Sequence, residues 1–312
     1  MSDVIGNLIP GLWFSFDSSF GGLLSTSMFF VLISMRKEKI YEFLLINVMF
    51  YDMVVCFSGA LPKALRYVNW VIHPDPQHIL LNDALSCRIM TSVSYAGFAG
   101  SSAVQLGIAI DRYTMIIYRS WYIKHILRNQ KRAIVSFIIL KIFIVLAIGS
   151  SIFFNAGNTT VFSYDYFICT IEPCLFKTLL IDIYTMSNFV FMLQLYGLIF
   201  LYYWKHKKKI NGPRESEGNF SGIKKVKMDK TISKSEMKLI RSLFIIMFAY
   251  GVQFIPICVS NISNVTVDNL TYKLFTCCVY SSIITDPLIY IVTNKPIRSK
   301  ISYLCSCVKL AN

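Results

Sequence analysis

Seven predominantly apolar stretches, at about 12–35, 43–62, 85–117, 132–154, 175–204, 239–260 and 270–293, constrain what this chain can fold into. A bilayer core takes about 20 apolar residues per helical crossing. Backbone in lipid must satisfy its own N–H and C=O groups, so each stretch is expected to be helical. Composition agrees, with 55% of residues in the set AVILMFWYC, 15% charged and a mean hydropathy of +0.54. Soluble proteins carry roughly 25% charge, and a 35.7 kDa globule cannot hide this much apolar surface. A soluble enzyme, a secreted disulfide scaffold and a disordered chain are excluded. The expected fold is an all-α membrane protein, a seven-transmembrane helix bundle.

The third stretch is the longest and carries Gly97, Ala99, Gly100, Ser101, Ser102 and Ala103 along its middle. Small residues let helices approach closely, so this helix is expected to be central and tilted. No internal repeat is evident, which weighs against a transporter built from duplicated halves. The first residues lack the basic segment and cleavage site of a signal peptide, so the first helix is expected to act as its own insertion signal.

The net charge of +14 would suggest nucleic acid until it is located. With the N-terminus outside, 25 of the 31 Lys and Arg fall on the cytoplasmic side, with 7 acids. The outer segments hold 5 basic and 8 acidic residues. This asymmetry is the positive-inside signal, and it sets the orientation. The division expected is an extracellular segment 1–11, a bundle 12–293 with a basic loop 205–235, and a cytoplasmic end 294–312. The basic loop reads as a solvated linker that can meet anionic lipid or a cytosolic partner. Its Asn219–Ser221 sequon would face the cytoplasm and is disregarded.

Cys87 stands at the outer start of the third helix and Asp111-Arg112-Tyr113 at its inner end. At about 1.5 Å per residue, Cys87 and Arg112 lie roughly 37 Å apart, a full crossing. Cys87 therefore faces an oxidising compartment, where it can pair with Cys169 or Cys174 or remain a thiol. Arg112 lies at the cytoplasmic face.

These residues resemble the rhodopsin-like G-protein-coupled receptors. Asn47 to Asp52 is similar to the second-helix Asn…Asp motif, and Asp111-Arg112-Tyr113 matches without change. Phe254-Ile255-Pro256 resembles the sixth-helix aromatic-x-Pro motif, and Asp286-Pro287-Leu288-Ile289-Tyr290 the seventh-helix motif. The chain departs from the family in lacking the first-helix asparagine at Gly21-Gly22-Leu23-Leu24 and the fourth-helix tryptophan. Asn188 stands about where the fifth helix would carry proline.

Cys169-Thr-Ile-Glu172, Glu236 to Arg241 and Asn294 to Arg298 are closest to opsins. Yet the opsin lysine would fall at position 280, which is Tyr, so no Schiff base can form there. The chain resembles an opsin-related receptor without its retinal lysine, of the kind found among nematode opsin-like serpentine chemoreceptors.

The resemblance implies roles. Arg112 pairs with Asp111 and, across the bundle, with Glu236 in the resting state. Phe254, Pro256, Pro287 and Tyr290 supply movable elements, and Tyr113 completes the coupling motif. Asp52 and Asp286, with Ser101 and Ser282, form either a sodium site or a protonated, hydrogen-bonded pair without metal. The ligand pocket is expected among Ser94, Tyr95, Phe98, Tyr184, Gln253, Phe254 and Tyr280. Ser94 stands where amine receptors carry an aspartate, which disfavours a biogenic amine.

Lys141, inside the fourth helix, either contacts an acidic ligand or snorkels along the bundle. Cys305 and Cys307 follow a short amphipathic segment, an eighth helix, and suit palmitoylation. Asn158, Asn261, Asn264 and Asn269 form outer sequons, of which Asn158, Asn264 and Asn269 are the glycosylation candidates. His73, His78, His125 and His206 have no metal-ligand spacing, so an enzyme is disfavoured.

The expected function is a chemosensory receptor at the plasma membrane of a sensory neuron or its cilium. Receptors for neuropeptides or small neuromodulators come second, and a retinal photoreceptor or a transporter last. No cofactor is expected beyond sodium. The expected partners are a heterotrimeric G protein, an extracellular ligand of unassigned class, membrane lipid and, as an open alternative, a second receptor copy. Nucleic acid is not among them.

Overall fold

The computed structural model describes residues 2–35, 40–72, 84–155, 160–163, 168–171, 182–211, 234–263, 268–295 and 297–303. Helix α1 runs Ser2–Phe16, widens through a π-turn at Asp17–Gly21 and continues Gly22–Ser34. Helix α2 has the same build: Ile40–Val55, a π-turn at Cys56–Ala60, then Leu61–Ile72. Helix α3 spans Ala84–Ile117, α4 Gln130–Asn155, α5 Tyr184–Asn211 and α6 Lys234–Ser263. Helix α7 runs Asn269–Tyr280, breaks at Ser281 and resumes Ser282–Thr293. A short helix, α8, covers 297–303.

Among the described residues six helices are long and apolar enough to cross a membrane, and the apolar part of α6 is the shorter Phe244–Ser260. Together they make the seven-helix bundle that the hydropathy pattern predicts. Helix α1 starts ten residues before that pattern and α2 ends ten residues after it, at Ile72. Helix α1 begins at Ser2, because the apolar spacing continues upstream of residue 12 and accommodates Pro10. The described part of the fifth helix starts at 182, so the apolar residues from 175 lie outside the described part. Between α4 and α5, β1 (Thr160–Ser163) pairs antiparallel with β2 (Ile168–Ile171), Phe162 opposite Cys169.

Burial separates central from peripheral helices. In α3 56% of the apolar window is buried, and in α4 only 11%, so α4 turns Phe143, Leu146 and Phe154 outward. Helix α3 packs against α2, α4 and α5, as its small residues require. A Cβ at Gly97 would come within 2.8 Å of Val55, and one at Gly107 within 2.7 Å of Phe137.

The two π-turns face each other. A π-turn leaves a carbonyl without its usual helical donor, and the Cys56 thiol donates to the Ser18 carbonyl at 3.4 Å. Pro287 creates a similar need in α7, since it has no N–H to offer the carbonyl four residues back, at Ile283. Ser25 of α1 supplies that donor, its hydroxyl 2.9 Å from the Ile283 oxygen. Asp268 caps α7, accepting bonds from the Thr271 hydroxyl at 2.6 Å and its backbone N–H at 3.0 Å. Those bonds hold its carboxyl below the ordinary 3.8.

Candidate functional site

The chemistry-bearing side chains gather at three levels of the bundle. At the cytoplasmic end of α3, Asp111 and Arg112 are both 7% exposed. The Arg112 guanidinium lies 3.5 Å from the Asp111 carboxylate and 3.9 Å over the ring of Tyr41. Asp111 also accepts the Tyr122 hydroxyl at 2.7 Å, from a short helix Arg119–Tyr122 that follows α3. Burial, then the Asp111 charge, pushes the Tyr122 hydroxyl pKa above its ordinary 10.0, so it stays a proton donor. Tyr113 is half-buried and edge-on to Tyr118 at 5.8 Å. Glu236 belongs to α6, but its side chain lies outside the described part, so its expected pairing with Arg112 does too.

Mid-bundle, Asp52 and Asp286 are 2% and 3% exposed. Ser101 is within hydrogen-bonding reach of Asp52. Gln105, which sequence reasoning missed, donates to Asp286 at 2.9 Å. The Ser282 hydroxyl instead donates to the Val279 carbonyl of its own helix at 2.9 Å. Asn188 donates to the Ser102 hydroxyl at 2.9 Å, tying α5 to α3 where proline was expected. Tyr290 is 2% exposed and borders a void of about 10 Å³ with Gln105 and Tyr196.

In the outer half, a cavity of about 100 Å³ opens between α2, α3, α5, α6 and α7. Of the expected pocket residues, Ser94, Tyr95, Phe98, Phe254 and Tyr280 line it. Tyr184 and Gln253 do not. The Tyr184 hydroxyl reaches the Ala99 carbonyl at 3.4 Å, and the residue borders a separate groove between α2, α3, α4 and α5. Gln253 lies one residue, and so about 100° of helix, from Phe254. Its amide donates to Thr285 at 2.7 Å and to Ser281 at 3.3 Å, tying α6 to the α7 break.

The floor of the cavity is a run of aromatic contacts. Phe14 meets Tyr280 edge-on at 5.5 Å, Tyr280 meets Phe98 at 5.3 Å, and Phe98 meets Phe254 at 5.7 Å. Phe254 stacks on Tyr250 at 4.3 Å. The Tyr280 hydroxyl shares a hydrogen bond with Ser94 at 3.2 Å. Gly59 permits this approach: a Cβ there would come 2.5 Å from the Tyr280 ring and 2.6 Å from Ser94. The lining also includes Lys63, Arg66 and Asp182, none singled out from sequence. Lys141 is elsewhere, buried between helices, where it donates to the Asn47 side-chain oxygen and lies 5.2 Å from the Tyr51 ring.

Cys87 is buried and is not among the free cysteines of the described residues, which are Cys56, Cys258, Cys277 and Cys278. The side chains of Cys169 and Cys174 lie outside the described part, as do those of Asn158, Asn261, Asn264, Asn269, Cys305 and Cys307.

Comparison with known families places this geometry. Residues 27–290 match the family described as 7 transmembrane receptor (rhodopsin family). The match spans most of the chain, from within α1 to Tyr290, so the chain belongs to that family, the G-protein-coupled receptors of rhodopsin type. It is accordingly a multi-pass membrane protein of a receptor family. A comparison with curated proteins finds no match.

Proposed function

We propose that the protein is a chemically gated receptor of the chemosensory kind, at the plasma membrane of a sensory neuron, that activates a heterotrimeric G protein. The observation that carries this reading is the aromatic run from the outer cavity to Phe254 and Tyr250 in α6. A ligand resting on Phe98 and Tyr280 would press on Phe254, beside Pro256, where the helix lacks one backbone hydrogen bond. Rotation of α6 about that point would move its cytoplasmic end relative to Arg112. A ligand shifts such a two-state bundle only by its differential affinity for the two states.

At the cytoplasmic end, Asp111 and Tyr41 hold Arg112 in the resting arrangement, with Glu236 as a further partner. Release of Arg112 offers a guanidinium to the G protein. Mid-bundle, the oxygens of Asp52, Asp286, Ser101 and Gln105 suit a hard cation such as sodium. The second carboxylate oxygen of Asp52 and the amide oxygen of Gln105, both buried, have no protein partner. Sodium there would supply positive charge between the two carboxylates. Cys87 is assigned to a disulfide with Cys169 or Cys174.

The cavity volume, about 100 Å³, favours a small ligand over a peptide. Tyr280 disfavours retinal, and incubation of purified protein with cis-retinal tests this. The expected result is no red-shifted band and no adduct after acid trapping. A light-sensitive band that survives trapping would make the protein a photoreceptor, with Lys63, which lines the cavity, as the first amine to substitute.

A further inference from the structure

Lys63 lies on α2 two turns outward of Cys56, where the outer cavity reaches towards α1 and α7. Its side chain is only 9% exposed. The ammonium lies 3.9 Å from the centre of the Tyr280 ring and 5.2 Å from that of Phe14. Among the described residues it has no hydrogen-bond or ion-pair partner. Aromatic faces attract a cation but accept none of its three N–H bonds, so its donors remain directed to the cavity.

Arg66, 2% exposed, stands one turn further on the same face of α2, since residues three apart are neighbours on a helix. It reaches the sulfurs of Cys87 at 4.0 Å and Met90 at 3.9 Å on α3. Among the described lining residues the acid is Asp182, which lies beside Tyr95 and Cys258, on the α3 and α6 side. Asp17, one turn from Phe14 on α1, is buried but outside the lining. Among the described residues, the α2 end of the lining therefore carries the Lys63 ammonium and no acid, and its floor, Phe98 and Phe254, is apolar.

We infer that the cavity takes a small organic acid, its carboxylate accepting hydrogen bonds from Lys63 and its apolar body lying on Phe98 and Phe254. This names the ligand class for the receptor reading above and rests on it. Binding would neutralise a cation held on the Tyr280 ring, at the head of the aromatic run that ends at Phe254. Ligand charge and α6 are thereby linked through contacts already formed.

The test uses full-length receptor in lipid nanodiscs, without G protein and at constant ionic strength. The probes are straight-chain carboxylates from acetate to octanoate and their neutral primary amides, and the readout is the thermal midpoint. At least one acid is expected to raise the midpoint saturably while its amide does not. Lys63→Gln is expected to weaken that acid at least tenfold, and Lys63→Arg to restore it. The inference is overturned if no acid stabilises the parent, if the amide does so equally, or if Lys63→Gln responds as the parent does. Should Lys63→Gln fail to fold, the contrast of acid with amide in the parent decides. Because no G protein is present, failure here leaves the coupling assignment standing. Loss of nucleotide exchange with acid binding retained would strike that assignment and not this one.

Discussion

Ser25 shows how a single hydroxyl sustains a helix break. Pro287 leaves the Ile283 carbonyl without a helical donor, and Ser25 reaches it from α1 at 2.9 Å, fully buried. Ser25→Ala would leave a buried carbonyl unpaired, at a cost of about 1–3 kcal/mol. The expected outcome is a lower thermal midpoint for Ser25→Ala with recovery in Ser25→Thr, measured on purified receptor. Equal midpoints for all three would contradict the assignment. The sequence marks the family's first-helix asparagine as missing but does not reveal that Ser25 serves α7, because that contact joins residues 258 positions apart. Lys63 and Arg66 escaped notice for a related reason. In sequence they are two of five basic residues on the outer side, where a long side chain ordinarily turns its charge to water. Only the packing of α2 against α1, α3 and α7 shows them buried.

At the scale of elements, the number and order of the helices were legible in hydropathy, and Asp111-Arg112-Tyr113 stood out as three consecutive letters. What surrounds the motif was not. Tyr41 at the start of α2 and Tyr122 in the short helix after α3 carry no signal of their own, yet they enclose Arg112 and Asp111. Tyr122→Phe removes a hydrogen bond to a charged acceptor, worth about 1.5–3 kcal/mol. If that bond belongs to the resting arrangement, ligand-independent nucleotide exchange should rise about tenfold or more, since 1.4 kcal/mol is one decade. Unchanged basal exchange in a well-folded Tyr122→Phe would show that the short helix does not restrain α3. The paired π-turns were equally illegible, because their cause is the close approach of α1 and α2, with Gly22 directly against the Cys56 sulfur.

For the whole molecule, the seven-helix bundle places a cavity lined by Lys63 in its outer half, two buried carboxylates at mid-depth and Arg112 beside Asp111 and Tyr41 at the inner end. Aromatic contacts connect the first of these to α6. Membership of the rhodopsin-type receptors accounts for the architecture, and the coupling role of Arg112 is the central proposal. Nucleotide exchange on a heterotrimeric G protein, reconstituted with parent receptor or Arg112→Ala at matched amounts, tests it most directly. The account predicts exchange above the receptor-free background with the parent, and at least a tenfold loss with Arg112→Ala at unchanged folding and membrane insertion. Equal exchange from parent and variant would contradict it.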